Sequence, residues 1–297
     1  MVEMRAILCE TPGTLRLIER PRPEPRPGEV IVRIRRMGVC GTDLHIFQGK
    51  HPYLDYPRVM GHELAGEIAA AGNGLPEGTP VYVMPYLTCG TCVACRQGKT
   101  NCCTTLQCLG VHCDGGMCDY LAMPAGLVFP TDGLPLDQAA LVEFLAIGAH
   151  AARRAEIKGG ERTLVVGAGP IGIAAALFAR ARGAQVTFLD PRADRLAFCR
   201  DVLRLGDGLV ADGEMMTAVG SCSGRCSSLN TASASPEVPG PMMAIAPISS
   251  RISATRSLSS SVIAAPGDCS PSRSVVSKMM MRRASVVDMA VENGVIK

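Results

Sequence analysis

Residues 163–190 read TLVVGAGPIGIAAALFARARGAQVTFLD. A β-branched apolar run, TLVV, stops at Gly167; small and apolar residues follow at helical spacing as far as Gly183; QVTFLD is a second strand that closes on Asp190. Strand, helix and strand in this order form a βαβ unit, the start of a parallel doubly wound sheet. The first turn, Gly167-Ala-Gly169-Pro170-Ile171-Gly172, is G-x-G-x-x-G. Alone it is a weak signal, and a glycine-rich turn without a ligand is the plain alternative. Between a strand and a helix it is a dinucleotide fingerprint. Gly167 makes the tight turn, Gly169 lets backbone approach a pyrophosphate, and Gly172 allows close helix–strand packing. The helix N-terminus, opened by Pro170, which itself has no N–H, supplies free N–H groups from Ile171 onward and a positive dipole end to the anion. Asp190 is expected to accept hydrogen bonds from ribose hydroxyls and to repel a 2′-phosphate, favouring NAD over NADP. Arg192 and Arg195 lie close by and soften that preference. A further helix is predicted over PRADRLAFCRDVLRLG.

Upstream the pattern differs. MRAILCE, TLRLIER and EVIVRIRRMGVC alternate with turns around a Pro-rich PRPEPRPGE, and ELAGEIAAA, TPVYVM and YLAMPAGLVFP continue the series. Short strands punctuated by glycine and proline predict a small β-barrel-like domain. One helix is predicted from Asp137 to Ala155. The 297 residues then divide into a β-rich domain over 1–150, the first half of a nucleotide-binding domain over 151–213, and a tail over 214–297. A net charge of +3 is too small to argue for nucleic acid or an anionic membrane. The N-terminus lacks the pattern of a signal peptide, and no apolar run approaches the roughly eighteen residues of a membrane span. A reducing, cytoplasmic setting is expected, where clustered cysteines bind metal or do chemistry more often than they form disulfides.

Such a cluster lies at CGTCVACRQGKTNCC, residues 89–103. Cys89, Cys92, Cys95 and Cys103 give C-x2-C-x2-C-x7-C, spacing that wraps one ion in four thiolates and makes a closed, structural zinc site. Gly90 and Gly98 permit its turns. A redox pair or an iron–sulfur site is the alternative, and Cys102 competes with Cys103 for the last place. Cys108, Cys113 and Cys118 receive no role. A second set is dispersed. Cys40, Thr42, Asp43 and His45 stand in GVCGTDLHIF, His62 and Glu63 in VMGHELAG, and Glu143 beside an apolar run. A Cys, a His and a carboxylate from separate segments suit a catalytic zinc with three protein ligands and one open position. Each also has a structural explanation: a small buried thiol, a core histidine, a surface acid.

The tail is unlike the rest. Residues 1–213 contain no serine and residues 214–297 contain eighteen; all eleven Phe and Tyr residues lie before 214. No convincing strand follows where the sheet needs one. We read residues 214–297 as translated out of the original frame, with a genuine low-complexity tail as the alternative.

The order CGTDLH, GHE, C-x2-C-x2-C-x7-C and VGAGPIG with Asp190 resembles the zinc-dependent medium-chain alcohol dehydrogenases. YPRVMGHE, GKTNCC and GVHCDGG resemble the polyol, threonine and sugar-acid branch, in particular L-galactonate or L-idonate type oxidoreductases. The resemblance covers residues 1 to about 213. It implies an α/β protein with a GroES-like catalytic domain and a Rossmann domain, here truncated. It implies one catalytic zinc on Cys40, His62 and Glu63, with Glu143 as a further or exchanging acid, and one structural zinc on the four loop cysteines. Thr42 and His45 match a proton relay, and Asp43 a partner orienting a ligand imidazole. NAD, a small-molecule alcohol and, for a full-length chain, a homodimer or homotetramer are the implied partners. The family's second Rossmann half is not recognisable after Gly213, so a non-catalytic zinc-binding remnant is the competing reading. A zinc-ribbon nucleic-acid module is a third, disfavoured by charge and aromatic content.

Overall fold

The computed structural model describes residues 2–70, 74–212, 242–247 and 265–266. It separates into a unit over Met1–Glu143 and a second unit that begins at Phe144.

The first unit is antiparallel, as the alternation predicts. β1 (Glu3–Thr11), β2 (Thr14–Pro21) and β3 (Glu29–Gly38) lead into α1 (Gly41–Phe47), then β4 (Arg58–Val59), β5 (Glu63–Ala70) and β6 (Pro80–Val83). A two-stranded ribbon, β7 (Tyr86–Leu87) with β8 (Gln107–Cys108), brackets the cysteine loop and its one-turn α2 (Val93–Arg96); β9 (Tyr120–Pro124) and β10 (Val128–Pro130) follow. The main sheet runs β10-β6-β5-β3-β9, beside a smaller β2-β1-β4 sheet. Exposure follows position. β2 is half-buried at best, whereas β3, flanked on both edges, buries Val30, Ile31 and Val32 consecutively. Ile34, Ile46, Leu64, Ile68, Val81 and Met123 complete the centre of this core, each buried aliphatic side chain contributing about 1.5–3 kcal/mol.

α1 is not apparent from hydrophobic period. Its start is chemical: the Asp43 carboxylate reaches back to the Cys40 N–H at 2.9 Å. The single helix expected over 137–155 is two, α3 (Leu136–Ala139) and α4 (Val142–Arg154). Ala139 and Ala140 pack on Ala65 of β5, and the Leu141 N–H turns tightly onto the Gln138 carbonyl at 3.0 Å. That break places Glu143 in the first turn of α4.

In the second unit β11 (Arg162–Val166), α5 (Pro170–Ala181), β12 (Gln185–Asp190), α6 (Ala193–Ala197) and β13 (Asp207–Val210) form a parallel βαβαβ run, ordered β13-β12-β11. The helix expected after Asp190 keeps α geometry only to Ala197 and widens to a π turn over Phe198–Val202. Helix packing here relies on small residues: Ala151, Ala152, Ala175, Ala176 and Ala179 are buried together. One expectation is corrected. Met242–Pro247, where no convincing strand was expected, is β14; it pairs antiparallel to β11, and Ala265–Pro266 is a short β15 beside it. Ala244–Pro247 meet the open hydrogen-bonding edge of β11, which any extended segment can satisfy. Otherwise the reading of 214–297 as an out-of-frame or low-complexity tail lies outside the described residues.

A methyl group at Gly148 of α4 would lie 2.5 Å from the Ala174 carbonyl carbon of α5. Gly148→Ala should therefore destabilise the second unit by about 1–3 kcal/mol through overpacking, read as a lower urea midpoint by circular dichroism. An unchanged midpoint would mean that the two helices have slack.

Candidate metal centres and nucleotide turn

The β3–β5 ladder ends with Gly38 opposite Glu63. Cys40 lies two residues past that rung on one strand and His62 one residue before it on the other. Their donor atoms and that of Glu63 fall within 4.8 Å of one another. The Glu63 side chain crosses directly over Gly38: a Cβ there would sit 1.8 Å from Glu63 Oε2. The loop of residues 110–117 clamps the segment before His62, with Gly116 N–H on the Gly61 carbonyl at 2.9 Å and Met117 N–H on the Met60 carbonyl at 2.9 Å. Asp43, 2 % exposed, ties the two ligand segments together by accepting from Cys40 N–H at 2.9 Å and Gly61 N–H at 3.1 Å. Its Oδ1 faces His62 Nδ1 across 3.9 Å. His62 Nδ1 is buried without a hydrogen-bond partner.

Glu143 is also buried but lies outside this triad of donors; its Oε1 accepts a hydrogen bond from the Tyr86 hydroxyl. Thr42 and His45 stand three residues apart on α1, both half-buried, so they share a helix face. The Cys40 thiol lies 3.7 Å from Thr42 Oγ1.

Electrostatics test whether a metal fits. Burial, then the neighbouring Glu63 charge, pushes the Cys40 thiol up to about 12. Burial, then Glu143 and Asp43, pushes Glu63 up to about 8. Burial raises Asp43 and Glu143 as well, and raises Tyr86, whose phenol keeps its proton beside Glu143. Four acids crowd one histidine in a site that resists their ionisation. A divalent cation is the species that lets such groups ionise together, so the donor set fits zinc.

The loop cysteines also converge: Cys89, Cys92, Cys95 and Cys103 place their sulfurs within 4.8 Å of one another. Cys102 is exposed and outside the group, with Asn101 Nδ2 at 3.5 Å. Backbone N–H groups point inward, from Cys92 to Cys89 Sγ at 3.3 Å and from Cys95 to Cys92 Sγ at 3.5 Å. Hydrogen bonds from Thr91, then from Cys92 N–H, hold Cys89 down to about 5, and those from Cys95 and Thr104 N–H hold Cys92 down to about 7. Cys95 is pushed the other way, to about 12, first by burial and then by hydrogen bonding to the neighbouring thiols of Cys92 and Cys103. Gly90 and Gly98 both turn through positive φ.

In the second unit Gly167 has φ +102° and a Cβ at Gly172 would fall 1.8 Å from the Gly167 carbonyl oxygen. Beside Gly169 the nearest atom to a built Cβ is Arg195 Nη1 at 4.0 Å, so the turn backbone is open to a ligand ahead of Pro170 and Ile171. Asp190 is buried and already engaged: it accepts from Ala168 N–H at 2.7 Å and Arg192 N–H at 2.8 Å, with Arg195 Nη1 3.6 Å away. The acid read as a ribose acceptor therefore also holds the glycine turn in place. Two residues of the first site escape spacing rules altogether, Gly38 and Tyr86, since neither donates to a metal.

Residues 26–133 match the alcohol dehydrogenase GroES-like domain. The L-galactonate-5-dehydrogenase of Escherichia coli (strain K12) is 46% identical over 193 residues, 64% of this chain and 57% of its own length. The chain thus spans little more than half of that curated relative. A crystal structure of an Escherichia coli CFT073 alcohol dehydrogenase (rspB) complexed with NADH superposes with TM-score 0.66 at 34% identity, covering 75% of this chain and 66% of that one. A cobalt- and zinc-bound thermostable alcohol dehydrogenase from Pyrobaculum aerophilum gives TM-score 0.64 at 33% identity, covering 73% and 68%.

Gly38→Ala should displace Glu63 and weaken metal binding at the Cys40 site about 10–100-fold while leaving the four-cysteine site loaded; isothermal titration with zinc reads both. Because binding must strip protons from Cys40 (about 12) and Glu63 (about 8), affinity at the Cys40 site should rise with pH and fall as the solution is acidified. A pH-independent affinity would remove these two ligands.

Proposed function

The chain belongs to the zinc-type medium-chain alcohol dehydrogenases, an oxidoreductase family, and on that premise we propose that it carries the site of an NAD-dependent dehydrogenase acting on a secondary alcohol of a polyol or sugar acid. The observation that carries this reading is the convergence of Cys40, His62 and Glu63 within 4.8 Å, three donors that leave one position of a tetrahedral ion open. Bound there, zinc would supply Lewis acidity that lowers the hydroxyl pKa of an alcohol, and the nicotinamide would accept hydride. The chain's own residues do the rest. Asp43 fixes the backbone of both ligand segments and faces His62, which orients the imidazole. Thr42 and His45 pass the substrate proton toward solvent. The four loop cysteines hold a second, structural zinc. Gly167, Gly169 and Gly172 open the turn to a pyrophosphate, and Asp190 disfavours a 2′-phosphate. The sugar-acid part of the proposal leans on the name of the 46%-identical relative. A homo-oligomer is proposed for the full-length form.

A second reading has its own support. The chain spans 57% of that relative, and residues 214–297 differ sharply in composition from the rest. On this reading the metal centres form without turnover. The two are separated by assaying zinc-loaded protein with NAD and a panel of polyols and aldonic acids. Cys40→Ser should abolish any NADH formation while the loop zinc stays bound; NADH formation retained by Cys40→Ser overturns the assignment. Zinc at both sites with no NADH from any substrate favours the remnant.

A further inference from the structure

Two buried carboxylates stand near one three-donor site, and only one can be its acidic ligand if a position is to stay open. Both Glu63 and Glu143 are 7 % exposed, and each feels the site's charges: Glu143 raises Glu63, and His62 lowers Glu143. Were both to bind, Cys40, His62 and two glutamates would complete a tetrahedral shell, the closed arrangement of a structural rather than a catalytic ion. Glu63 has a seat, the bare backbone of Gly38. Glu143 has a different partner, the Tyr86 hydroxyl. Neither end of that contact is free to wander. Tyr86 is fixed by its pairing with Cys108 across β7 and β8 and by Leu109 N–H on the Pro85 carbonyl at 3.0 Å. Glu143 is fixed by the helix break that anchors α3 on β5.

We propose that Tyr86 is a positioning residue that selects the acidic metal ligand: its hydroxyl retains Glu143, so that Glu63 ligates and the fourth position stays open to alcohol. The inference rests on the metal centre proposed above. Removing the hydroxyl leaves Glu143 a buried carboxylate without its donor, and the nearest compensation for its charge is the cation. Glu143 then swings onto the metal and closes the shell.

The test uses the full chain loaded with cobalt(II), whose visible bands report ligand number. The thiolate-to-cobalt absorption that disappears in Cys40→Ser isolates this site from the four-cysteine loop. Tyr86→Phe should shift these visible bands, raise cobalt affinity because a fourth protein ligand closes the shell, and weaken binding of added imidazole at the open position. Tyr86→Phe combined with Glu143→Gln should restore the wild-type spectrum. Glu143→Gln alone, with Tyr86 intact, should leave the spectrum unchanged. Wild-type bands in Tyr86→Phe, a shift that survives in the double variant, or a shifted spectrum in Glu143→Gln alone would each overturn the selection role. Absence of any Cys40-dependent absorption in the wild type would overturn the metal centre itself, and this role with it.

Discussion

The antiparallel pairing of β3 with β5 is the constraint from which the candidate active site follows. Its last rung sets Gly38 opposite Glu63, and Cys40 and His62 flank that rung on the two strands. Donors that are more than twenty residues apart in the chain are thereby held within 4.8 Å. Register matters because a shift of one residue would turn Glu63 to the other face of the sheet. The ladder includes two irregularities, between Ile31 and Val32 and between Ile34 and Arg36, so its terminal register is set by local bulges as well as by the apolar pattern. Asp43 then locks the rung from outside, bonding Cys40 N–H and Gly61 N–H with a single carboxylate.

The site is electrostatically unfavourable by itself. A thiol and three carboxyls share a poorly solvated pocket with one imidazole, and burial heads the causes that raise each of the four acids. This arrangement trades stability of the metal-free fold for affinity toward a cation. The cysteine loop achieves the same end differently. Hydrogen bonds from Thr91 and inward N–H groups lower Cys89 and Cys92, while burial raises Cys95.

Much of this was legible in the sequence, and the exceptions have physical causes. Alternation located β1, β2, β3, β5 and β6, and the G-x-G-x-x-G context located β11, α5 and β12, because those elements bury a regular face. Cys-x2-Cys spacing located the loop because ligand geometry dictates the spacing. α1 was not legible, since GTDLHIF has no apolar stripe and starts on a side-chain hydrogen bond. The break between α3 and α4 was not legible either: it comes from Ala139 and Ala140 docking on Ala65, a tertiary contact. Gly38 and Tyr86 shape the metal site without donating to it, so no ligand motif could flag them. Asp190 was read as a ribose acceptor from its distance to Gly167, but spacing could not reveal that it also bonds Ala168 N–H. β14 answers the open edge of β11 and follows no strand signal of the Rossmann pattern.

Every donor of both candidate metal centres lies between Cys40 and Glu143, inside one unit of the fold. The chain is made from its N-terminus, and domains generally fold as units in that order. All the ligands are therefore synthesised before the first residue of the glycine-rich turn at 167. Metal-binding free energy is available to the first unit while the nucleotide half is still being translated, since among the described residues every donor of the two centres precedes residue 144.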